Sequence, residues 1–404
     1  MTGSRGVHPV RYGLLILPFG VTAGFLTVTM AWLLRAEGVA PTDIAALIAL
    51  SYLPHTWKFF WAPMVDLSWR RKGWYLLGCA GCAAGTFATG ALAATPGNLS
   101  WMSVAVLATN VAATLLGMSI ECLMAHATPE AQKGRAAGWF QAGNLGGLGV
   151  GGGAGLWMVQ VSGLSAPAAA AVLGGMCGLC GLALIGLPEP PHSVGLNEAR
   201  GSRLREAAAD LWAVARSRRG ALAILVCFLP IGTGAATNLW SVVAGDWQAS
   251  AATVALVSGT LGGVISAAGC LAGGFVCDRM DRQRAYCLFG LVMVAASLAM
   301  AFAPRSETSF VVFASAYAFV QGLTYAGFSA VVLEAIGRGA AATKYNLLAS
   351  LSNMPIAWVT LVDGWAYEHH GPAAFLWADA ATGVGGLLLF AGAVAWSRRR
   401  LQAA

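Results

Sequence analysis

Charged residues are scarce in this chain. Asp, Glu, Lys and Arg make up 10% of its 404 residues, whereas they make up ~25% of a typical soluble domain. Hydrophobic residues make up 57%, and the mean hydropathy is +0.68. This balance excludes a disordered chain, a coiled coil and an ordinary soluble enzyme. We therefore expect an integral membrane protein whose excess apolar surface faces lipid.

The chain also lacks the alternating segments of ~10 residues that are typical of membrane β-barrels. Its apolar runs reach the ~20 residues that a helix needs to cross the bilayer core. We therefore predict an all-α integral membrane protein with twelve spans. The predicted spans are 12–34, 42–65, 74–95, 100–127, 135–160, 166–187, 220–245, 250–276, 285–303, 309–337, 343–367 and 372–396.

One polar stretch, residues 188–219, separates the sixth predicted span from the seventh. It begins with Pro188-Glu189-Pro190-Pro191 and contains six arginines. We interpret it as a cytoplasmic linker with a short amphipathic helix at the membrane surface. The predicted domains are a six-helix bundle over 1–187, this linker over 188–219 and a second six-helix bundle over 220–404.

The basic residues lie almost all on one side of the predicted spans. With the N-terminus in the cytoplasm, 21 of the 24 Lys and Arg residues are cytoplasmic, Arg35 and Arg305 are periplasmic, and Lys58 lies inside a span. Cytoplasmic loops of membrane proteins carry such an excess of Lys and Arg. The sequence thus predicts that both termini are cytoplasmic. The net charge of +7 then reflects topology, and no nucleic-acid partner is expected.

Motifs that would indicate a cofactor, a metal or an enzyme do not fit their context. Residues 147–152 match Gly-x-Gly-x-x-Gly, but no predicted strand precedes them. The pairs Cys79/Cys82 and Cys177/Cys180 mimic a zinc pattern, but they lie at lipid depth without a His or carboxylate nearby in sequence. We expect no cofactor, no metal site, no disulfide and no enzymatic activity.

The loops after the second and the eighth predicted spans resemble each other. Asp66 and Asp278 lie 212 residues apart, and so do Arg70 and Arg282. Two related six-helix halves are typical of the major facilitator superfamily, and both loops resemble its signature of Gly, Asp-Arg and a basic run. An Asp and a basic loop can pair across the halves and hold one conformation closed, although ordinary cytoplasmic charge is the alternative. The candidate gating residues are Asp66, Arg70, Arg71, Asp278, Arg279 and Arg282.

The most specific stretch is Lys58-Phe59-Phe60-Trp61-Ala62-Pro63-Met64-Val65-Asp66. It resembles a run in muropeptide permeases of the AmpG type and in their relatives, the siderophore permeases of the RhtX and FptX type and the acetyl-CoA transporter of eukaryotes. The resemblance implies a proton-driven carrier that imports a solute across the bacterial inner membrane. This chain has Gly24-Phe25-Leu26 where that group has Gly-Leu-Pro, and Gly117 where it has the first of two acidic residues, while Glu121 matches the second.

Few ionisable side chains lie inside the predicted spans. Each costs at least ~2.5 kcal/mol at mid-bilayer, so it usually faces a partner or a cavity. Lys58 lies about 10 Å and Glu121 about 9 Å from the same membrane face, so we predict that they pair or that both face a central path; a static ion pair is the alternative. His55, one turn before Lys58, is a proton-carrier candidate or else a buried structural group. Asp363 could carry a proton or bind the solute, and pairing at the helix end is the alternative. The hypothesis of proton coupling rests on Glu121, His55 and Asp363. Asp379, Asp246 and Glu334 lie near span ends and are assigned no role.

Further polar and aromatic residues are candidate solute contacts. In the superfamily that the loops resemble, spans 1, 4, 7 and 10 surround the cavity. Aromatic planes and amides together suit a sugar or an amphipathic ligand, although Ser, Thr and Asn also join helices as simple contacts. The candidates are Thr22, Thr29, Asn110, Asn238, Trp240, Gln321 and Tyr325, with Gln141 and Asn144 in span 5.

The expected function is therefore transport. We expect a monomeric secondary active carrier that works by alternating access, with a small-molecule solute, protons and the lipid bilayer as its partners. A muropeptide is the first candidate substrate on the resemblance alone, a siderophore is the second and drug efflux is the third. A membrane sensor or scaffold that keeps the carrier fold without transporting is the alternative of another class.

Overall fold

The structure is a computed structural model that describes residues 8–61, 65, 69–127, 133–189, 212, 216–277, 279–336, 348 and 350–403. Over these ranges the chain forms helices, turns and bends, with no strand. The prediction of an all-α protein is therefore confirmed.

The helices follow the order of the predicted spans. They are α1 (Val10–Ala36), α2 (Pro41–Trp57), α3 (Arg71–Ala91), α4 (Leu99–Ala127), α5 (Lys133–Gly149, continued by Val150–Ala154 and Gly155–Gln160), α6 (Ala166–Cys180), α7 (Arg218–Phe228), α8 (Ala251–Cys277), α9 (Arg282–Phe302), α10 (Glu307–Ile336), α11 (Asn353–His370) and α12 (Pro372–Ala403).

Seven stretches of described helix are long and apolar enough to cross a membrane. They are Val10–Ala36, Pro96–Met124, Ala166–Leu184, Ala251–Cys277, Arg282–Phe302, Glu307–Val332 and Pro372–Trp396. Each coincides with a predicted span. The helices at the other five predicted spans are shorter or less apolar, so the total of twelve spans stays a prediction.

Short polar side chains begin several of the helices. Ser165 accepts a hydrogen bond from the amide of Ala168 at the start of α6, and Ser250 accepts one from Thr253 at the start of α8. Asp281 accepts one from Arg284 at the start of α9. The first amides of a helix have no partner inside it, so these caps determine where each helix begins after its loop.

The seventh element is broken, so our prediction of one continuous span over 220–245 is wrong. Helix α7 ends at Phe228, residues 229–234 are not helical, and the chain resumes in the short turns Ala235–Leu239, Trp240–Val243 and Ala244–Trp247. Pro230 has no amide hydrogen for a helix. Gly232 and Gly234 have φ angles of 58° and 71°, a left-handed conformation that favours glycine. We call residues 229–234 the helix break.

Three helices contain wider, π-helical turns. These are Phe25–Met30 in α1, Val150–Ala154 in α5 and Ala255–Thr260 in α8. The three turns pack against one another, and the Thr29 hydroxyl of α1 donates to the carbonyls of Gly151 and Gly152, both at 3.1 Å. Such turns interrupt the regular hydrogen-bond ladder and are frequent at functional sites.

The helices pack mainly within two groups that follow the chain order. In the first group, α1 packs on α5, α3 packs on α4 and α6, and α2 packs on α4; in the second, α8 packs on α10, α9 packs on α10 and α12, and α11 packs on α12. The groups meet where α2 packs on α11 and α5 packs on α8. Most of the predicted linker lies outside the described residues, so the domain boundaries stay a prediction.

The two ends of the bundle differ in charge. The end at which α1, α3 and α9 begin carries Arg11, Arg70 to Lys72 and Arg279 to Arg284, and we call it the basic end. The other end carries Asp43, Asp246, Glu307 and Glu368 beside Arg35 and Arg305, and we call it the opposite end.

Glycines bring α5 and α8 into close contact between the two groups of helices. A Cβ on Gly259 would lie 2.4 Å from the Cα of Gly153, and a Cβ on Gly153 would lie 2.6 Å from the carbonyl oxygen of Ala255. Both distances are shorter than a real contact allows. Two glycines are therefore what permits the two helices to approach so closely.

We expect Gly153→Ala to destabilise the protein, because its Cβ would collide with the backbone of α8. The cost should be about 1–3 kcal/mol, the usual range for overpacking. The matched control is Gly146→Ala in the same helix, where a Cβ meets nothing within 4 Å. Thermal unfolding in detergent compares the two variants. An unfolding temperature of Gly153→Ala equal to that of the control would contradict this account of the interface.

Candidate functional site

Three polar side chains form a ladder along one face of α2. Tyr52, His55 and Lys58 are three residues apart, and such a spacing keeps side chains on neighbouring positions of a helix surface. Lys58 begins the short 3₁₀ turn that follows α2. Each of the three meets a polar group from another element. We call Tyr52, His55 and Lys58 the α2 ladder.

The α2 ladder reaches Glu121 of α4 near the basic end. Lys58 Nζ lies 3.9 Å from Glu121 Oε1, and the two side chains are 15% and 27% exposed. This is the ion pair that their equal depth predicts. The other oxygen of Glu121 is buried without a hydrogen bond among the described residues. A pair with an unused acceptor is therefore present at this level of the bundle.

His55 contacts Asn110, which belongs to α4. Its Nε2 lies 3.0 Å from Asn110 Oδ1, and its ring meets Phe19 of α1 edge-on at a centroid distance of 5.0 Å. The amide nitrogen of Asn110 donates to the carbonyl of Val106 at 2.9 Å. Because that amide is already used, Asn110 presents its oxygen to His55 as an acceptor.

Tyr52 connects the two groups of helices. Its hydroxyl donates to Asn238 Oδ1 at 3.2 Å, and Asn238 Nδ2 donates to the hydroxyl of Thr360 in α11 at 3.0 Å. Asn238 lies in the turn that follows the helix break. The hydrogen-bonded chain from Tyr52 to Thr360 therefore runs from the first group into the second at the level of the break.

Two carboxyl groups are buried in the second group. Asp363 of α11 is 0% exposed, and neither of its side-chain oxygens has a hydrogen bond in the described part of the chain. Asp379 of α12 accepts hydrogen bonds from Ser297 at 2.6 Å and from Tyr317 at 3.1 Å and 3.2 Å. Sequence position alone assigned Asp379 no role, because it lies close to the predicted span end. Its position in the sequence did not indicate its burial and its hydrogen bonds.

Other candidate solute contacts lie in different surroundings. Trp240 is 2% exposed and packs edge-on against Phe310, Tyr317 and Phe375 inside the second group, so a solute cannot reach it in this conformation. Gln321 of α10 lies against Gly234 of the helix break. Tyr325, one turn further along α10, is 43% exposed.

The candidates of the first group divide in the same way. Gln141 of α5 is exposed, and its Oε1 lies 3.5 Å from Nδ2 of Asn144. Thr29 is buried and bonds to α5, so its hydroxyl joins two helices. Thr22 lines a small internal pocket together with Thr109 and Asn110.

The predicted gating loops are described only in part. Asp66 and Asp278 lie outside the described residues, so their pairing stays a prediction. Arg70 is exposed just before α3, and Arg71 and Arg282 each begin a helix. Arg279 lies over the ring of Phe275, with its guanidinium carbon 3.3 Å from the ring centroid.

Contacts between α2 and α11 close the opposite end. The amide and the hydroxyl of Thr42 both donate to Glu368, the amide at 3.1 Å. Arg35 lies 5.8 Å from the ring centroid of Tyr367, whose hydroxyl donates to Asp246. A Cβ on Gly364 would lie 2.4 Å from the Cβ of Ala45, which shows how closely the helices approach here. We call the Thr42–Glu368 contact the latch.

Hydrogen bonds from Thr42 hold the pKa of Glu368 below its ordinary value, because they favour the carboxylate. A hydrogen bond that lowers the pKa of a carboxyl contributes its full stabilisation at pH values above the ordinary pKa of glutamate. It is lost as the pH falls through the lowered pKa, where the carboxylate takes up a proton. The latch should therefore remain closed at neutral and weakly acidic pH.

Among the described residues, no group of three or more His, Cys, Asp and Glu side chains has an arrangement that could hold a metal ion. The cysteines of the two Cys-x-x-Cys pairs do approach one another, since Cys79 Sγ lies 2.9 Å from the carbonyl oxygen of Cys177. That contact joins α3 to α6 and uses the thiol as a donor to backbone.

The chain belongs to the major facilitator superfamily, whose family model matches residues 13–359. It is therefore a multi-pass membrane transporter and not an enzyme, as the resemblance of its loops and its composition predict.

The anhydromuropeptide permease of Escherichia coli K12 is a curated relative. The two are 24% identical over 385 residues, which cover 92% of this chain and 76% of the permease. The anhydromuropeptide permease of Escherichia coli O157:H7 matches to the same extent.

Solved transporters share the fold. A D-xylose-proton symporter is 13% identical with a TM-score of 0.73, and the match covers 95% of this chain and 96% of the symporter. A nucleoside transporter is 15% identical with a TM-score of 0.69, and the match covers 95% of this chain and 98% of the transporter.

We expect Glu368→Ala to open the opposite end more often, because the latch loses its acceptor. Hydrogen exchange of the amides in residues 41–48 measures this opening, and it should become severalfold faster at neutral pH. In the unchanged protein, exchange corrected for its intrinsic pH dependence should accelerate only below the ordinary range of glutamate. Glu37→Ala, which removes another exposed carboxylate near this end, is the control. Equal exchange in all three proteins would show that the latch does not hold the helices together.

Proposed function

We propose that this protein imports an anhydromuropeptide, or a closely similar solute, across the bacterial inner membrane by proton-driven alternating access. The observation that carries the proposal is the similarity to the anhydromuropeptide permease, which extends over 92% of the chain. The stretch from Lys58 to Asp66, which resembles muropeptide permeases, lies next to the α2 ladder and contributes Lys58 to it.

The contacts between the two groups of helices support alternating access. Superfamily members rock one half against the other around a site near the middle of the membrane. Here the latch, the stacking of Arg35 on Tyr367 and the glycine contact between α5 and α8 hold the opposite end together. We infer that this conformation is closed at the opposite end and that the solute enters or leaves at the basic end.

The excess of basic residues supports one orientation of this cycle. With the basic end in the cytoplasm, the opposite end faces the periplasm and the structure represents an inward-facing stage. Import then requires the latch to open, admit the solute and close again behind it.

The α2 ladder offers chemistry that suits a sugar linked to a peptide. The ammonium of Lys58 can pair with a carboxylate, and the amide of Asn110 with the imidazole of His55 can accept and donate hydrogen bonds. The ion pair with Glu121 orients Lys58 when no solute is bound. A solute carboxylate would then compete with Glu121 for the ammonium.

The test is uptake of labelled anhydromuropeptide into proteoliposomes that contain the protein. We expect uptake by the unchanged protein, and at least about a tenfold loss in Lys58→Ala and in Glu121→Gln, equivalent to about 1.4 kcal/mol of lost binding. Lys72→Ala at the basic end is the matched control and should transport normally.

Three results would contradict the proposal. Normal uptake by both variants at normal expression would make the ion pair a static contact. Absence of anhydromuropeptide uptake, with uptake of a siderophore instead, would reassign the substrate, and absence of any transport would favour a membrane sensor or scaffold.

A further inference from the structure

We propose that Asp363 and Asp379 together form the proton-binding site of the transport cycle, and that contact between α2 and α11 controls its access to water. The inference rests on the proposed function for its role in transport, and it assigns the proton to the second group of helices instead of to His55 or Glu121. It also gives Asp379 a function that its position in the sequence did not indicate.

Within the described part of the chain, Asp363 has no hydrogen-bond donor or countercharge that would stabilise a negative charge. It is 0% exposed, neither of its oxygens accepts a hydrogen bond, and no basic side chain forms an ion pair with it within the described ranges. A buried carboxylate without hydrogen bonds or a countercharge is strongly unfavourable, so the group takes up a proton instead. In this conformation Asp363 therefore holds a proton.

Asp379 differs from Asp363 in that it has hydrogen-bond donors. It is 6% exposed and accepts hydrogen bonds from the hydroxyls of Ser297 and Tyr317. Burial first, and the neighbouring carboxyl of Asp379 second, disfavour a negative charge on Asp363. The two carboxyls therefore have different roles. Asp363 keeps the proton, and Asp379 is stabilised by its hydrogen-bond donors.

Among the described residues, the titratable groups that interact electrostatically with Asp363 are Asp379 of α12 and Tyr317 of α10. Ser297 of α9 donates a hydrogen bond to Asp379, and Asn238 after the helix break donates one to Thr360, one turn before Asp363. The hydroxyl of Tyr52, which is titratable, donates to Asn238. The proton therefore has the carboxyl pair as its acceptor.

The contact between α2 and α11 includes the residue that follows Asp363. Gly364, the next residue, packs directly on Ala45 of α2 near the latch. When α2 separates from α11 at the opposite end, water reaches the neighbourhood of Asp363 and a proton can exchange with that side. When the helices close again, the proton is sealed from that side, which is the requirement for coupling.

Hydrogen bonds connect the carboxyl pair with the α2 ladder. Thr360 lies one turn before Asp363 on α11 and accepts from Asn238, which in turn accepts from Tyr52. Asp379 lines a small pocket together with Pro230, Gly232 and Thr233 of the helix break. The break therefore lies beside Asp379 and directly precedes the turn that holds Asn238, so a change in protonation can shift that turn.

The experiment separates coupling from movement of the solute. Proteoliposomes with Asp363→Asn, Asp379→Asn or the control Glu37→Gln are tested for accumulation driven by a pH gradient and for solute exchange at equal pH. A gradient of about one pH unit supports about tenfold accumulation, because tenfold corresponds to about 1.4 kcal/mol. We expect the two Asp variants to lose this accumulation and to keep exchange, whereas the control keeps both.

A second readout does not depend on the solute. Infrared difference spectra between neutral and alkaline pH should contain the band of a protonated carboxyl, and this band should be missing in Asp363→Asn. Gradient-driven accumulation that survives in both variants, or an unchanged band, would overturn the inference. Accumulation that follows a Na⁺ gradient instead of a pH gradient would also overturn it. If no solute moves in the unchanged protein while the band is present, the proposed substrate fails and the proton site stands.

Discussion

Everything in this structure depends on the absence of water around an apolar helix bundle. A polar group inside such a bundle must find a partner within the protein. The α2 ladder meets this requirement in pairs: Tyr52 with Asn238, His55 with Asn110 and Lys58 with Glu121. Asp363 departs from it, because neither oxygen of its carboxyl has a hydrogen bond within the described residues. We propose that the paired groups define a path and that Asp363 carries a proton.

The halves are joined by contacts of two kinds, and the difference matters for movement. Glycine-on-backbone contacts between α5 and α8 act through shape alone, and one methyl group is enough to disturb them. The latch and the Arg35–Tyr367 contact act through polar groups that can exchange protein partners for water. The close glycine contact lets one group of helices rock against the other, and the polar contacts can be released to water. We propose that the two kinds of contact together allow the opposite end to close and open repeatedly.

The sequence predicted correctly those features that depend only on composition or on position along a span. The scarcity of charge predicted membrane helices, and equal depth from one membrane face predicted that Lys58 and Glu121 meet. It failed at the seventh element, although Pro230, Gly232 and Gly234 are ordinary signals for a turn, because the long apolar run around them favours a continuous span. It also missed Asp379, because distance from a span end says nothing about which helices cover a side chain.

The amino-acid sequence by itself indicated that the chain lies in lipid, where most of its helices run and which family it belongs to. Hydropathy and local motifs are properties of neighbouring residues, so they can be read without the fold. Only the tertiary structure decided which polar groups face one another. Tyr52 and Asn238 are 186 residues apart and Ser297 and Asp379 are 82 apart, and no local pattern encodes such distances. The pairing of buried polar groups is decided by how whole helices pack, since each helix position is set by the sum of many apolar contacts along its length.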